Sequence, residues 1–302
     1  MEKRYERTML ATACLPLTDD ERVDLPALRR EVRHLRAAGL DHIYLFGTAG
    51  EGYDVTDAEY AEIVAAFVEE MRGGTPMVCV ISSSPQHMLA RLRAAYARGV
   101  RDFQITLPCW GTLQDGELLP YFHMLCDPFP DCRFLLYNIQ RAGRVLTGAE
   151  MEAVAAGVPN FCGAKYPAHE TITLHALAKD GPLRYFLTEA GYGYGCAVGG
   201  EFSYLLSIGV SDLPRARAYY EAGVRRDMEA LFALERDMLC ARDLIVSAVG
   251  TAIDGGYDKV IARLAMPGFP LRLRAPYRYI GEDAFAALEA RFAAEFPAWG
   301  KA

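Results

Sequence analysis

The chain has 302 residues, 52% of them hydrophobic and 24% charged, with a formal net charge of −7. That is ample apolar material for a large buried core, and the acid excess argues against a nucleic-acid surface. No stretch approaches the roughly 20 apolar residues that cross a bilayer, and the opening MEKRYERTMLATACLPL lacks the core and cleavage site of a secretory signal, so a cytoplasmic protein is expected.

Short apolar runs alternate with amphipathic stretches from the start. Residues 9–14 read as a first strand, and Leu25, Leu28, Val32 and Leu35 fall on one face of a helix. Residues 43–46 form the second strand, after which Thr56 and Glu59 have the spacing of a capping box. Further strands are expected at 77–81, 103–106, 134–137, 161–165 and 185–188, with a weaker eighth at 200–203. Between them, 85–98, 117–126, 148–156 and 170–179 carry helical patterns. Eight repeats of this kind imply a closed α/β architecture, a (β/α)8 TIM barrel over residues 1–224. An open doubly wound sheet is disfavoured, because no G-x-G-x-x-G turn follows the first strand. From residue 225 the alternation stops. Residues 225–302 read as a C-terminal helical extension packed on the barrel, with Phe285, Leu288, Phe292 and Phe296 marking its last helix.

None of the eight cysteines forms a CxxC or a zinc-like spacing with histidine. Cys14, Cys79 and Cys162 lie in apolar runs and read as small buried hydrophobes.

Active sites of such barrels lie at the C-terminal ends of the strands. Lys165 closes the run Phe161-Cys162-Gly163-Ala164. Desolvation there lowers a lysine pKa and frees an amine to attack a carbonyl. From position alone an ion pair with Glu189 or Glu201 accounts for it equally well. Tyr137 also ends a strand, where a phenol can move protons or simply pack. The turn Gly47-Thr48-Ala49-Gly50-Glu51 offers backbone N–H groups to an oxyanion, and the Thr48 hydroxyl can orient the Tyr137 proton. Residues 191–195, GYGYG, follow strand seven, where barrels often hold phosphate; close backbone packing is the other reading.

In order and spacing these pieces resemble the dihydrodipicolinate synthase/N-acetylneuraminate lyase family of class I, Schiff-base aldolases. GTAGEG at 47–52 looks like the family's G-T/S-T-G-E turn, Tyr137-Asn138 like its strand-five pair, and Gly163-Ala164-Lys165 like its lysine strand. The tyrosine and lysine are 28 positions apart, one strand–helix–strand step, and residues 271–276 resemble the closing segment.

The resemblance implies a lyase or aldolase acting on pyruvate or a related 2-oxo acid through a covalent imine on Lys165, with no metal or dissociable cofactor. Tyr137 would relay protons with Thr48, and the backbone of Ala49 and Gly50 would hold the substrate carboxylate. It also implies a homodimer or homotetramer. Three departures bear on the substrate. Ala49 replaces a hydroxyl residue, Trp110 stands where the family often has a relay tyrosine, and Arg141 sits in a shortened segment after Tyr137-Asn138. Trp110 is expected to wall a bulkier or aromatic substrate, Arg141 to meet a distal carboxylate, and Glu189 and Glu201 to complete the substrate-facing set. A true dihydrodipicolinate synthase is therefore not expected. The alternatives are a keto-deoxy sugar acid dehydratase using the same lysine and a non-catalytic paralogue that binds an oxo acid. A metal-dependent aldolase fits less well, because His34, His42, His87, His123, His169 and His175 mostly fall in expected helices or turns.

Overall fold

The computed structural model describes residues 2–167 and 170–300. Its strands are β1 (Met9–Thr12), β2 (His42–Leu45), β3 (Thr75–Val80), β4 (Asp102–Ile105), β5 (Arg133–Tyr137), β6 (Phe161–Lys165), β7 (Arg184–Leu187) and β8 (Ser203–Leu205). They pair in parallel in sequence order, and β8 returns to β1 to close the barrel. Around it run α1 (Leu25–Ala37), α2 (Asp57–Glu70), α3 (Pro85–Tyr96), α4 (Asp115–Cys126), α5 (Gly148–Gly157), α6 (Thr171–Leu177), α7 (Glu189–Ala197) and α8 (Leu213–Arg225). The extension follows as α9 (Met228–Val249), α10 (Asp254–Ala265) and α11 (Glu282–Glu295). This is the (β/α)8 TIM barrel with a C-terminal helical extension. Among the described residues no helix is long and apolar enough to cross a membrane.

Local chemistry sets the element boundaries. Asp24 accepts from Ala27 N at 2.9 Å to start α1, which buries Leu28, Val32 and Leu35 on the expected face. Thr56 and Glu59 form the capping box of α2. The β5–β6 pairing shifts register after Phe134 and then places Tyr137 opposite Lys165. On the other side of β6, Gly163 permits the close approach of β7: a Cβ there would stand 2.0 Å from the Arg184 carbonyl oxygen.

Two expectations need correction. The eighth strand is Ser203–Leu205, not 200–203. Residues 200–202 precede it, and the Phe202 ring lies where Cβ atoms on Gly195 and Gly200 would be, at 2.5 and 2.1 Å. The GYGYG segment is no phosphate loop but part of α7. Its glycines serve close packing, since a Cβ on Gly193 would meet the Glu235 carboxylate of α9 at 2.9 Å.

Candidate active site

Lys165 and Tyr137 emerge side by side at the C-terminal mouth. The Lys165 Nζ lies 4.9 Å from the centroid of the Tyr137 ring. Among the described residues no carboxylate forms an ion pair with Lys165. Burial lowers its pKa and the Arg141 charge adds to this, while Asp254 and Asp258 oppose it. Tyr137 is buried, which raises its pKa, while hydrogen bonds from Thr48 pull the other way. Its hydroxyl lies 3.2 Å from Thr48 Oγ1 and accepts from Thr48 N at 3.3 Å.

Thr48 is held by a strained turn. Phe46 has φ 67° and Glu51 φ 48°, a left-handed region that is costly for a bulky residue such as Phe. Gly47 is required because a Cβ would stand 2.4 Å from the Tyr44 ring. Gly50 presses on Phe46 N and Ala13 O, at 2.7 and 2.9 Å from the position a Cβ would take, and does not line the cavity. Ala49 does line it, and among the described residues no hydrogen bond engages the N–H of Ala49 or Gly50.

Three hollows lie at the mouth, and Lys165 lines two of them. The innermost, of about 60 Å³, is walled by Thr48, Ala49, Tyr137, Lys165, Tyr257 and Asp258, among others. On the side of β2 to β5 a 240 Å³ hollow is mostly apolar, with Ile81, Leu107, Ile139, Ala142, Tyr53 and Tyr277. On the side of β7 and β8 a 330 Å³ hollow is polar, lined by Thr188, Glu189, Ser207 and Arg242.

Other expected residues fall as follows. Glu189 lines the polar hollow without pairing with Lys165; its Oε1 accepts from Tyr204 Oη at 2.7 Å, Ser207 N at 2.9 Å and Gly209 N at 3.2 Å. Arg141, on the 3-10 turn Gln140–Ala142, borders the apolar hollow and is engaged by Asp254 through two bonds of 2.8 Å. Glu201 is a correction. It is exposed and precedes β8, which puts it at the N-terminal end of the barrel, away from the mouth, where its carbonyl accepts from Arg184. Trp110 is another: it is 93% exposed and its neighbour Cys109 lines the hollow instead. A loop residue one place along the chain points the opposite way. His87 and His123 lie on outer helices and His42 opens β2, while His169 lies outside the described residues.

Sequence reasoning missed Tyr44, Arg242, Asp254, Tyr257 and Asp258, all of which line these hollows. The last three lie on α10, which buries Asp258 and Lys259, and a helical pattern alone does not mark that burial.

A model described as the dihydrodipicolinate synthetase family matches residues 6–184, more than half of the chain. The chain belongs to the dihydrodipicolinate synthetase family. Its members are lyases of the class I aldolase type, and the chain is an enzyme of that type. Among curated relatives, 4-hydroxy-tetrahydrodipicolinate synthase 2 of Streptomyces coelicolor is 24% identical over 87% of this chain and 87% of its own. Trans-O-hydroxybenzylidenepyruvate hydratase-aldolase of Pseudomonas aeruginosa is 25% identical over 53% of this chain and 49% of its own. Among solved structures, Proteus mirabilis N-acetylneuraminate lyase superposes with a TM-score of 0.84 at 20% identity, covering 96% of this chain and 98% of that one. YagE of E. coli, crystallised with pyruvate, gives 0.85 at 15% identity over the same shares. At these identities the structural likeness establishes the family's barrel fold.

Proposed function

We propose that this family member is a Schiff-base-forming lyase or aldolase that acts on pyruvate or a related 2-oxo acid carrying an apolar substituent. One observation carries the reading: an amine without an ion-pair partner among the described residues lies against the Tyr137 ring, and the Tyr137 hydroxyl is held by Thr48. Burial favours the neutral amine. Its lone pair adds to the ketone carbon, loss of water gives a protonated imine, and that imine takes up the electron pair of the breaking carbon–carbon bond. Tyr137 exchanges the proton of the departing or arriving carbonyl oxygen, with Thr48 orienting its hydroxyl. The unengaged N–H of Ala49, which lines the cavity, suits the substrate carboxylate. The iminium itself is the electron sink, so the scheme uses neither metal nor dissociable cofactor.

The apolar hollow supports the choice of substituent. Its 240 Å³ compares with the roughly 150 Å³ apolar cavity known to hold benzene. Arg141, tied to Asp254, is not free to receive a distal carboxylate, so condensation of the dihydrodipicolinate synthase kind is not proposed. A second reading, dehydration of a keto-deoxy sugar acid by the same lysine, is favoured by the polar hollow with Thr188, Glu189 and Ser207. A homodimer or homotetramer goes with either reading, as does a cytoplasmic setting, which eight free thiols suit.

Borohydride treatment with a panel of 2-oxo acids, read by peptide mass spectrometry, tests the proposal. It expects a reduced adduct on Lys165 that is absent from Lys165→Ala. Wild-type protein that carries no adduct with any member of the panel overturns it. Products then separate the readings, two carbonyl fragments for the aldolase against one dehydrated acid for the dehydratase.

A further inference from the structure

Asp254 and Asp258 lie one helical turn apart on α10, and both reach the innermost hollow. Arg141 occupies Asp254. Asp258 is only 8% exposed, yet among the described residues no cation pairs with it and no hydrogen bond engages its carboxyl oxygens. It forms one wall of the 60 Å³ hollow whose other walls include Lys165 and Tyr137. The hollow is small, so a ketone joined to Lys165 there shares it with the Asp258 carboxyl.

The surroundings raise the pKa of that carboxyl and so favour its protonated form. Burial is the main cause, and the neighbouring Asp254 and then Glu189 of α7 push the same way. Arg242 of α9 and Lys165 oppose them. Tyr44, Tyr137 and Tyr257, which also face the hollow, stay uncharged because burial raises their own pKa values. Burial thus favours the neutral form of both the acid and the amine that line this hollow.

We propose that Asp258 is a second catalytic acid of this site, protonating the hydroxyl that leaves the Lys165 carbinolamine and then standing as counter-ion to the iminium. The inference rests on the Schiff-base reading. Addition of Nζ to the ketone and transfer of the ammonium proton to oxygen give a neutral carbinolamine. The Asp258 O–H proton passes to the carbinolamine hydroxyl, the carbon–oxygen bond breaks and water leaves. The nitrogen lone pair closes the C=N bond. Amine, ketone and carboxylic acid have become iminium, water and carboxylate, with no change in total charge. Opposite charges appear together, across a small hollow walled mostly by buried side chains, only when the imine forms. In hydrolysis Asp258 takes its proton back.

The test is the rate at which pyruvate becomes trappable on Lys165, measured by mixing, quenching with borohydride after set times and weighing the peptide. Asp258→Asn is expected to slow trapping about 100-fold, the scale of general acid catalysis. Its affinity for lactate, which has the carboxylate but no ketone, should match wild type and so report an intact hollow. Asp258→Ala is expected to be equally slow and to regain rate with added formic acid. Wild type and Asp258→Asn trapping at the same rate overturns the inference while leaving the Schiff-base reading intact. If wild type gives no adduct with pyruvate, the same rates are read with the 2-oxo acid of the panel that does label Lys165, and no adduct with any of them overturns both. If Asp258→Asn loses lactate binding, Asp258→Ala decides: rescue by formic acid supports the inference and its absence overturns it.

Discussion

Glu51, in the turn after β2, and Lys259, on α10, form an ion pair sealed from solvent, with side chains 1% and 0% exposed. Burial raises the Glu51 carboxyl and lowers the Lys259 amine, while each partner's charge opposes the shift in the other. Lys259 also donates to the Arg272 carbonyl. The pair ties the turn that positions Thr48 to the helix that delivers Asp254 and Asp258. Gly255 of α10 lies beside the turn, its Cβ position in ordinary van der Waals range of Glu51 Cγ at 3.6 Å and Thr48 O at 3.7 Å.

Removing one member strands the other charge in a dry interior. Glu51→Gln or Lys259→Met is therefore expected to cost about 3–5 kcal/mol in urea unfolding, whereas replacing both by apolar residues costs much less. Equal losses for the double and single variants would show that packing, and not charge, holds the turn to α10.

The catalytic pair was legible in the sequence for a simple reason. In a barrel the end of an apolar run marks the mouth, and Tyr137 and Lys165 each close such a run. Strand order and the helices up to α6 followed from the same alternation, whereas α7 and α8 did not. Side chains from the extension were not legible. Arg242 and Asp258 reach the site because α9 and α10 pack across the mouth, which a helical periodicity does not encode. Loop direction is equally silent, so Trp110 was expected to face inward where the structure places Cys109. Glycine carries two meanings, and the glycines of α7 are there for contact with Glu235 and Phe202 rather than for a loop.

Within the catalytic pair, Tyr137→Phe keeps the ring beside Lys165 and deletes the proton. Turnover is expected to fall by about 10²–10⁴-fold with little change in the amount of adduct trapped at equilibrium. Thr48→Val removes one hydrogen bond to the phenol, worth roughly tenfold in rate. Steady-state kinetics beside borohydride trapping separates these effects. A Tyr137→Phe variant that turns over like wild type removes the phenol from the chemistry.

Substrate choice should be read from the apolar hollow. Ile139→Asn places an amide among Ile81, Leu107 and Ala142. It is expected to lower kcat/KM for 2-oxo acids with aromatic substituents by about 10–200-fold, the range one apolar contact gives, and to leave pyruvate trapping unchanged. An equal loss with pyruvate would mean that the substitution disturbs the lysine and not the substituent site.

Stability should depend on pH through Glu31, a fully buried carboxyl on α1. Its Oε1 accepts from Cys14 N at 2.9 Å, and Oε2 has no partner among the described residues. Burial, only partly opposed by the Cys14 hydrogen bond and the Lys259 charge, pushes its pKa from 4.5 to about 8. The folded protein therefore holds a proton that the unfolded chain has lost. This stabilising contribution is complete below pH 4.5 and declines as pH rises toward 8, at up to about 1.4 kcal/mol per pH unit. Glu235, raised to about 7 chiefly by burial, adds a parallel decline that ends earlier. Glu31→Gln keeps the acceptor for Cys14 and removes the titration, so urea unfolding across this range should lose one group's share of the slope. The difference should persist between pH 7 and 8, where Glu235 has already lost most of its proton. An unchanged slope would mean that the Glu31 carboxyl is already ionised in the folded chain.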